Sequence, residues 1–255
     1  MRCGKRAGRL YGARRPRVES PLMPAARTAP GRRAPRRILV IDIGGSHIKY
    51  RLAPRGVTGK FPSGPELRPE RMVRKLARRL RGARYDAVSI GYPGLVFRGS
   101  IAGEPHNLGR GWTGFDFTTA FGVPVRIVND AAMQAIGSYH GGHMLFLGLG
   151  TGLGASLIID GVVEPTEIGH MPYRYGRTYE DYLGERGRRR LGTRRWRKEV
   201  AAVVKQLAAA LEADYVVLGG GNAARLRKLP RGVRRGTNRN ALIGGVRLWH
   251  QAVGR

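Results

Sequence analysis

The chain of 255 residues is long enough for one large α/β domain or two smaller ones with a sizeable core. Its single cysteine, Cys3, excludes a disulfide within the chain and a cysteine-rich zinc site. No apolar run approaches the ~20 residues that span a bilayer, and the basic N-terminus lacks the apolar segment of a signal peptide. We therefore expect a cytoplasmic protein without membrane contact.

The charge of the chain is strongly unbalanced. Its formal net charge is +30, from 47 basic and 17 acidic residues. Such an excess favours association with polyanions, and nucleic acid, polyphosphate or an anionic surface would each fit it. The alternative is a genome whose base composition favours arginine, although that bias alone would not explain so few acidic residues.

Residues 1–36 have the composition of a disordered tail. They contain eleven basic residues, one acidic residue and five prolines, with no apolar periodicity. The rest of the chain keeps 36 of the 47 basic and 16 of the 17 acidic residues, so it is strongly basic as well. Met23 is a second candidate for the start of translation.

The first half of the remaining chain has the pattern of an α/β protein. Apolar runs predict strands over 38–43, 47–52, 87–90 and 125–128. Apolar residues at helical spacing predict a helix over 69–81, whose other face carries six basic residues, and a second helix is expected over 131–139.

The second half repeats the opening scheme of strand, glycine turn and returning strand. Strands are predicted over 144–149 and 155–159, with the turn between them. A long helix over 196–213, a buried strand over 215–218 and a closing helix over 240–253 follow. This near-duplication is the internal symmetry that the sequence shows.

Both glycine turns have features of a phosphate site. Each supplies backbone N–H donors without side-chain bulk, and Asp42 places a carboxylate suited to Mg²⁺ beside the first turn. Each turn alone would be read more readily as an ordinary hairpin, but the pair favours a phosphate chain held between two lobes. The residues are Gly44, Gly45 and Ser46 in the first turn, and Gly150, Thr151 and Gly152 in the second.

Asp130 is the candidate catalytic residue, because it follows a strand and opens a helix. A carboxylate at that position is usually a helix N-cap, and the competing role is general base toward a substrate hydroxyl. Glu167 and His170, with Glu180 downstream, offer groups that could bind a polyhydroxyl ring. The pair Glu167 and His170 could also bind a metal or be solvated surface.

Seven motifs, in the correct order, resemble those of the ROK family (repressor, open reading frame, kinase), and within it those of the polyphosphate glucokinases. The resemblance covers residues 38–248. The motifs are Asp42-Ile-Gly-Gly-Ser-His-Ile-Lys49, Gly91-Tyr-Pro-Gly94 with Asn107, Asn129-Asp130-Ala131, Leu149-Gly-Thr-Gly-Leu-Gly154, Glu167-Ile-Gly-His170, Gly219-Gly-Gly-Asn222 and Arg239-Asn-Ala-Leu-Ile-Gly-Gly245.

The resemblance implies the actin-like, ribonuclease-H-like ATPase fold, with two lobes around a cleft. The lobes would be residues 37–138 and 139–238, with 239–255 a helix that packs back on the first lobe. It also implies phosphoryl transfer to the 6-hydroxyl of glucose, with Asp130 as general base and Asp42 positioning Mg²⁺. The sugar would be held by Asn107, Asn129, Glu167, His170 and Glu180, and the donor by both turns with Lys49, Gly219, Gly220 and Gly221.

Two departures from the broader family refine the expectation. The segment after Glu167-Ile-Gly-His170 has no cysteine, so no zinc is expected; polyphosphate glucokinases also lack that cysteine cluster. The tail is too short and too proline-rich for the winged-helix domain of repressor members, which makes a nucleic-acid partner the weaker expectation. Family members are often dimers, so a homodimer is compatible with the resemblance.

The phosphoryl donor stays open between polyphosphate and ATP. Arginines on the outer face of 71–81 and in 186–198 could form a path for polyphosphate, or could be two solvated helix faces. The alternatives are a strictly ATP-dependent ROK hexokinase acting on glucose or mannose, and a non-catalytic sugar- or nucleic-acid-binding protein.

Overall fold

The structure is a computed structural model that describes residues 35–105, 107–237 and 239–250. The tail predicted over 1–36 lies, apart from its last two residues, outside this part of the chain. The described residues belong to one compact unit. No helix among them is long and apolar enough to cross a membrane.

The elements of the first half agree with the sequence prediction. The predicted strands and helices over 38–139 are confirmed to within two residues at each end. In chain order the elements are β1 (Ile38–Ile43), β2 (His47–Ala53), β3 (Thr58–Pro62), α1 (Pro69–Leu80), β4 (Ala87–Tyr92), β5 (Val96–Phe97), β6 (Ser100–Ile101), α2 (Phe117–Phe121), β7 (Val125–Asn129) and α3 (Asp130–Ser138).

In the second half, the predicted strands are confirmed, but the bounds of both predicted helices differ from those in the structure. Short 3₁₀ segments lie at Ile168–His170 and Gly221–Arg225. The other elements are β8 (His143–Leu149), β9 (Leu153–Ile159), β10 (Val162–Thr166), β11 (Pro172–Arg174), β12 (Arg177–Thr178), α4 (Tyr179–Leu183), α5 (Glu185–Ala210), β13 (Tyr215–Gly219), β14 (Val233–Arg235) and α6 (Arg239–Arg247).

The bounds predicted for these two helices, 196–213 and 240–253, differ from the structure for physical reasons, and residues 251–253 of the second prediction lie outside the described residues. The first turns of α5 are arginine-rich and lack apolar periodicity, and Gly192 interrupts the helix with a φ of 71°. At the C-terminus, α6 ends at Arg247 because tertiary contacts hold the next residues in a turn. The Trp249 indole donates to Ser89 Oγ at 2.8 Å, and Arg126 lies over its ring.

Two five-stranded sheets of the same topology form the framework. Their strand orders are β3-β2-β1-β4-β7 and β10-β9-β8-β13-β14. In each sheet the first three strands of that half form an antiparallel meander, and the remaining two strands pair in parallel. The duplication predicted from the glycine turns therefore extends to whole sheets.

Helices α3 and α6 pack against each other at the centre of the molecule. α3 also contacts β8 and β9 of the second sheet and β4 and β7 of the first, and α6 contacts β1 and β4. The close approach requires glycine, since a Cβ on Gly137 or on Gly244 would lie 1.8 Å from backbone oxygen of the other helix. The division into lobes at residue 138 stays a prediction, because these contacts join the described residues into one unit.

Candidate active site

The first glycine turn joins β1 to β2 and is held by its neighbours. The Gly44 N–H donates to His47 O at 3.0 Å, which closes the hairpin. Ser63, just after β3, donates its hydroxyl to Gly44 O at 2.8 Å and its N–H to Ser46 O at 3.1 Å. Gly45 and Ser46 are exposed at the tip of the turn. Ser63 was not predicted, because nothing in the sequence links it to a turn that precedes it by 17 or more residues.

Asp42 and Lys49 form an ion pair beside this turn. They lie directly opposite each other on β1 and β2, with Lys49 Nζ 3.4 Å from an Asp42 carboxylate oxygen. Asp42 is 6% exposed. Burial raises the pKa of the Asp42 carboxyl, and Lys49 opposes that increase.

Asp130 is the first residue of α3, but it does not cap that helix. The N-cap is Asn129, whose Oδ1 accepts from the N–H groups of Ala131 and Ala132 at 2.9 and 3.4 Å. The Asn129 Nδ2 donates to Gly94 O at 3.1 Å. Because the cap position is taken by the preceding residue, the common structural explanation of Asp130 does not apply.

The environment of Asp130 raises the pKa of its carboxyl to about 7. Burial is the largest cause, and the negative charges of Asp42 and Glu167 add to it. The N–H of Ala131 donates to Asp130 Oδ1 at 2.7 Å and opposes the increase. Asp42 and Glu167 thus lie close enough to Asp130 for their charges to raise its pKa.

The loop before α2 carries Asn107 to the first glycine turn. A Cβ built on Gly45 would lie 3.6 Å from the Asn107 amide nitrogen, so the loop and the turn are in van der Waals contact. Glu104 orders this loop by accepting hydrogen bonds from the N–H groups of Gly111, Trp112 and Thr113 at 3.1 to 3.3 Å. Sequence reasoning missed Glu104, whose partners follow it with no recognisable spacing.

Glu167 and His170 contact each other at the 3₁₀ segment after β10. The His170 Nδ1 lies 3.3 Å from Glu167 Oε2, and both side chains are more than half exposed. Exposure leaves both groups available to a ligand, and it makes the ion pair a weak contribution to stability.

The second glycine turn, between β8 and β9, is surrounded by groups from three other segments. Glu180 accepts from the Leu153 N–H at 3.0 Å, and the Glu185 N–H donates to Gly150 O at 3.1 Å. Asn222 donates its amide to Gly150 O at 3.2 Å. Among the described residues, no hydrogen bond joins Glu180 to Glu167, His170 or Asn107, so Glu180 is not paired with another of these predicted sugar-binding groups.

The third glycine segment follows β13 and lies against the second turn. Gly220 has a φ of +79°, and a Cβ there would lie 2.4 Å from Leu149 O. Gly219 pairs with Gly148 and Gly220 contacts Leu149, so this segment lies just before the second turn, at the ends of the neighbouring parallel strands β8 and β13. The ends of parallel strands are a common location for ligands in α/β sheets.

The carboxylates suit magnesium delivered with phosphates better than a metal held by protein alone. No group of three His, Cys, Asp or Glu side chains among the described residues could hold a metal ion. Mg²⁺ commonly uses only one or two carboxylates, with waters and substrate phosphates completing its octahedron. The buried Asp42, beside the first turn, fits that mode of binding.

The profile of the ROK family matches residues 39–187, more than half of the chain, from β1 into the start of α5. The chain belongs to the ROK family. The matched region includes both glycine turns, Asp42, Asp130 and the Glu167–His170 segment.

One curated relative is the polyphosphate glucokinase of Mycobacterium tuberculosis. It is 25% identical to this chain over 220 residues, which cover 78% of this chain and 82% of that protein. The similarity includes both halves of the molecule.

Two solved structures share the fold. Inorganic polyphosphate/ATP-glucomannokinase from Arthrobacter sp. strain KM has a TM-score of 0.72 at 22% identity, covering 86% of this chain and 99% of that chain. A ROK family glucokinase from Streptomyces griseus, in complex with glucose and AMPPNP, has a TM-score of 0.68 at 18% identity, covering 84% and 99%. The likeness confirms the expected actin-like ATPase fold.

Proposed function

We propose that this ROK protein is a sugar kinase that transfers a phosphoryl group from inorganic polyphosphate, or from ATP, to the 6-hydroxyl of glucose. The observation that carries the proposal is Asp130. Its carboxyl is free of a capping role, lies near Asp42 and Glu167, and has a pKa raised to about 7. A general base works best when its pKa lies near the working pH.

Asp130 would act on the sugar hydroxyl. The ionised carboxylate accepts the proton of the 6-hydroxyl as the oxygen attacks the terminal phosphorus of the donor. One P–O bond forms to the sugar, and the bond to the bridging oxygen breaks. The shortened phosphate chain leaves with the electron pair of that bond.

The sugar would be bound by side chains from several segments around Asp130. Asn107 would approach from the loop that touches the first turn, and Glu180 from beside the second turn. Asn129 would have only the second hydrogen of its amide nitrogen for the sugar, because its Oδ1 caps α3 and its Nδ2 also donates to Gly94 O. Glu167 and His170 offer exposed oxygen and nitrogen atoms for further hydroxyl groups. Many directional hydrogen bonds from different elements fix a ring in one orientation, which positions a single hydroxyl for attack.

The donor phosphates would lie between the two glycine turns. Gly44, Gly45 and Ser46 approach from the first sheet, and Gly150, Thr151 and Gly152 from the second. Asp42 would hold Mg²⁺, which when bound neutralises charge that develops on the transferred phosphoryl group. Lys49 adds a positive charge beside the same phosphates.

Observations support both donors. The polyphosphate glucokinase relative and the polyphosphate/ATP-glucomannokinase structure support polyphosphate, and the strong basic charge fits a polyanionic donor. The glucokinase solved with AMPPNP supports a nucleotide, for which Gly219, Gly220 and Gly221 are the candidate adenosine site. Supplying each donor separately with glucose decides between them, and activity with ATP but none with polyphosphate would contradict the leading proposal.

The test of the base is Asp130→Asn. We expect turnover to fall by at least ~10²-fold, because the amide cannot accept the hydroxyl proton. Asp160→Asn, at an exposed hairpin position, removes one carboxylate elsewhere and should leave turnover unchanged. Near-normal turnover of Asp130→Asn would refute the assignment of the base.

A further inference from the structure

A groove flanked by cations lies beside the first sheet and adjoins the site described above at Lys49. It has a volume of about 320 Å³ and lies between the strands β2 and β3 and the start of α6. Three cations, Lys49, Lys60 and Arg239, line it together with Tyr50 and Leu242. We propose that this groove binds the part of an inorganic polyphosphate chain that extends beyond the phosphates held by the glycine turns.

The strand register connects the groove to the donor site. Asp42 lies directly opposite Lys49, and Lys49 lies directly opposite Lys60. Directly opposed residues project from the same face of a sheet, so the three side chains form one row across β1, β2 and β3. Neighbouring strands are about 4.8 Å apart, which places Lys60 roughly 10 Å from the strand of Asp42. The row runs from the proposed Mg²⁺ ligand outward to the edge of the sheet.

The protein balances the charges of this row only at its inner end, where Asp42 pairs with Lys49. Like charges on directly opposed residues destabilise a sheet, and Lys49 and Lys60 are such a pair. Asp42 compensates Lys49, while in the described part of the chain neither Lys60 nor Arg239 forms an ion pair. Both of these cations are exposed. An anion in the groove would offset the repulsion among the three cations.

The groove is separate from the basic face of α1. Leu39 and Ile41 of β1 pack with Met72 and Leu76 of α1 on one face of the sheet. Val40 packs with residues of α6 on the other face, which is the face of Asp42, Lys49 and Lys60. An arginine on α1 therefore provides a matched control of equal charge on the opposite side of the same sheet.

The geometry favours an unbranched inorganic chain over a nucleotide. The three phosphates of ATP would be taken up by the glycine turns, and its adenosine is assigned to the glycine segment after β13 in the second sheet. A long polyphosphate has further phosphates, and the row from Asp42 to Lys60 gives them a path on the first sheet. This proposal rests on the proposed function, since it takes polyphosphate as the donor.

The test measures binding of long-chain polyphosphate, tripolyphosphate and ATP to the full chain in the absence of sugar. Lys60→Ala and Arg239→Ala should each weaken binding of the long chain by roughly 5-fold, because each removes a charged contact to phosphate. Binding of tripolyphosphate and ATP should change less than about 2-fold. Arg74→Ala, on the outer face of α1, should leave all three unchanged.

Three results would contradict the proposal that the groove binds polyphosphate. Equal weakening by Arg74→Ala would show that general attraction, or the face of α1, holds the polyanion. Equal weakening of ATP and tripolyphosphate would place Lys60 and Arg239 at the phosphates nearest the reaction. Unchanged binding of the long chain would show that it takes another path.

The binding assay also separates this proposal from the proposed function. If the protein fails to phosphorylate glucose but its binding of the long chain depends on Lys60 and Arg239, the proposed kinase function is rejected and the proposed binding groove is supported. If the protein is an active kinase with polyphosphate but both variants bind the long chain as well as the original protein, the proposed binding groove is rejected and the proposed kinase function is supported.

Discussion

At the scale of single residues, Asp130 shows where the sequence stops being informative. The strand-to-helix junction at Asn129-Asp130 allows either residue to cap the helix, so local evidence favoured the cap for Asp130. In the structure the backbone gives the cap to Asn129 and leaves Asp130 beside two other carboxylates. The structure shows which residue is the N-cap, and the role of Asp130 as a base stays a proposal that the family resemblance favours.

The raised pKa of Asp130 predicts a pH dependence of the reaction. The carboxyl must be ionised to accept a proton, and its pKa is raised to about 7. We expect kcat/KM for glucose to rise about 10-fold per pH unit below that value and to level off above it. The measurement is kcat/KM from about pH 5 to pH 9.

The donor must be varied in the same experiment, because phosphates also titrate in this range. A rising limb that keeps its midpoint with both ATP and polyphosphate assigns the titration to the protein. A flat profile, or a midpoint below about pH 5, would show that Asp130 keeps the ordinary pKa of a carboxyl and is not tuned for this role.

The same shift has a cost in stability. A carboxyl whose pKa is raised in the folded state favours folding below its unfolded pKa, near 4, and loses that contribution as pH rises through about 7. Asp130 therefore disfavours the folded state at neutral and alkaline pH. Such local instability is common where a residue is selected for chemistry.

At the scale of elements, the glycine segments separate positions that need glycine from positions that tolerate a side chain. Gly220 has a φ of +79° with a ψ of 165°, and a Cβ there would meet Leu149 O at 2.4 Å. Gly221, its neighbour, has no heavy atom within 4 Å of its Cβ position. The two differ in environment while they share a motif.

We expect Gly220→Ala to lower the free energy of unfolding by more than ~1 kcal/mol, because both the backbone conformation and the contact oppose a side chain. Gly221→Ala should change it by less than ~0.5 kcal/mol. Urea denaturation of both variants measures the difference. Equal stability of the two would mean that the end of β8 and the segment after β13 are not packed as closely as described.

The central strands that the sequence predicted differ in burial from the edge strands that it missed. Central strands such as β1, β4 and β8 are continuous apolar runs buried on both faces, which the sequence reveals directly. The edge strands β3, β10 and β14 were missed because solvent contact allows lysine, proline and arginine there. These segments are strands because they pair with β2, β9 and β13, and their composition alone does not indicate a strand.

The contacts of the site were less predictable than its residues. The motifs placed Asp42, Asp130 and the glycine turns correctly on their elements, since each follows an apolar strand. Glu104 and Ser63, which hold the loop and the first turn, depend on contacts that form only after the chain folds. Sequence patterns therefore name candidate chemical groups more readily than the residues that hold their loops and turns in place.

At the scale of the whole molecule, two similar sheets are joined through α3 and α6. Each sheet has a glycine turn between its first two strands in chain order, so the proposed phosphate site is repeated, whereas the central helix supplies Asp130 once. A phosphate chain held by both turns would contact both halves. This arrangement is the physical basis for expecting closure of the two lobes around substrates to exclude water.

The net charge of the whole chain leads to a last prediction, on salt. With a formal charge of +30, the protein attracts a polyanionic donor through long-range electrostatics, while glucose is neutral. Raising salt from about 50 to 200 mM should increase KM for long-chain polyphosphate by more than ~10-fold and leave KM for glucose within about 2-fold. Steady-state kinetics with each substrate varied in turn provides both values, and glucose serves as the internal control. A KM for polyphosphate that does not respond to salt would mean that the donor is recognised by directional contacts at the turns alone, and that the basic surface takes no part in capturing it.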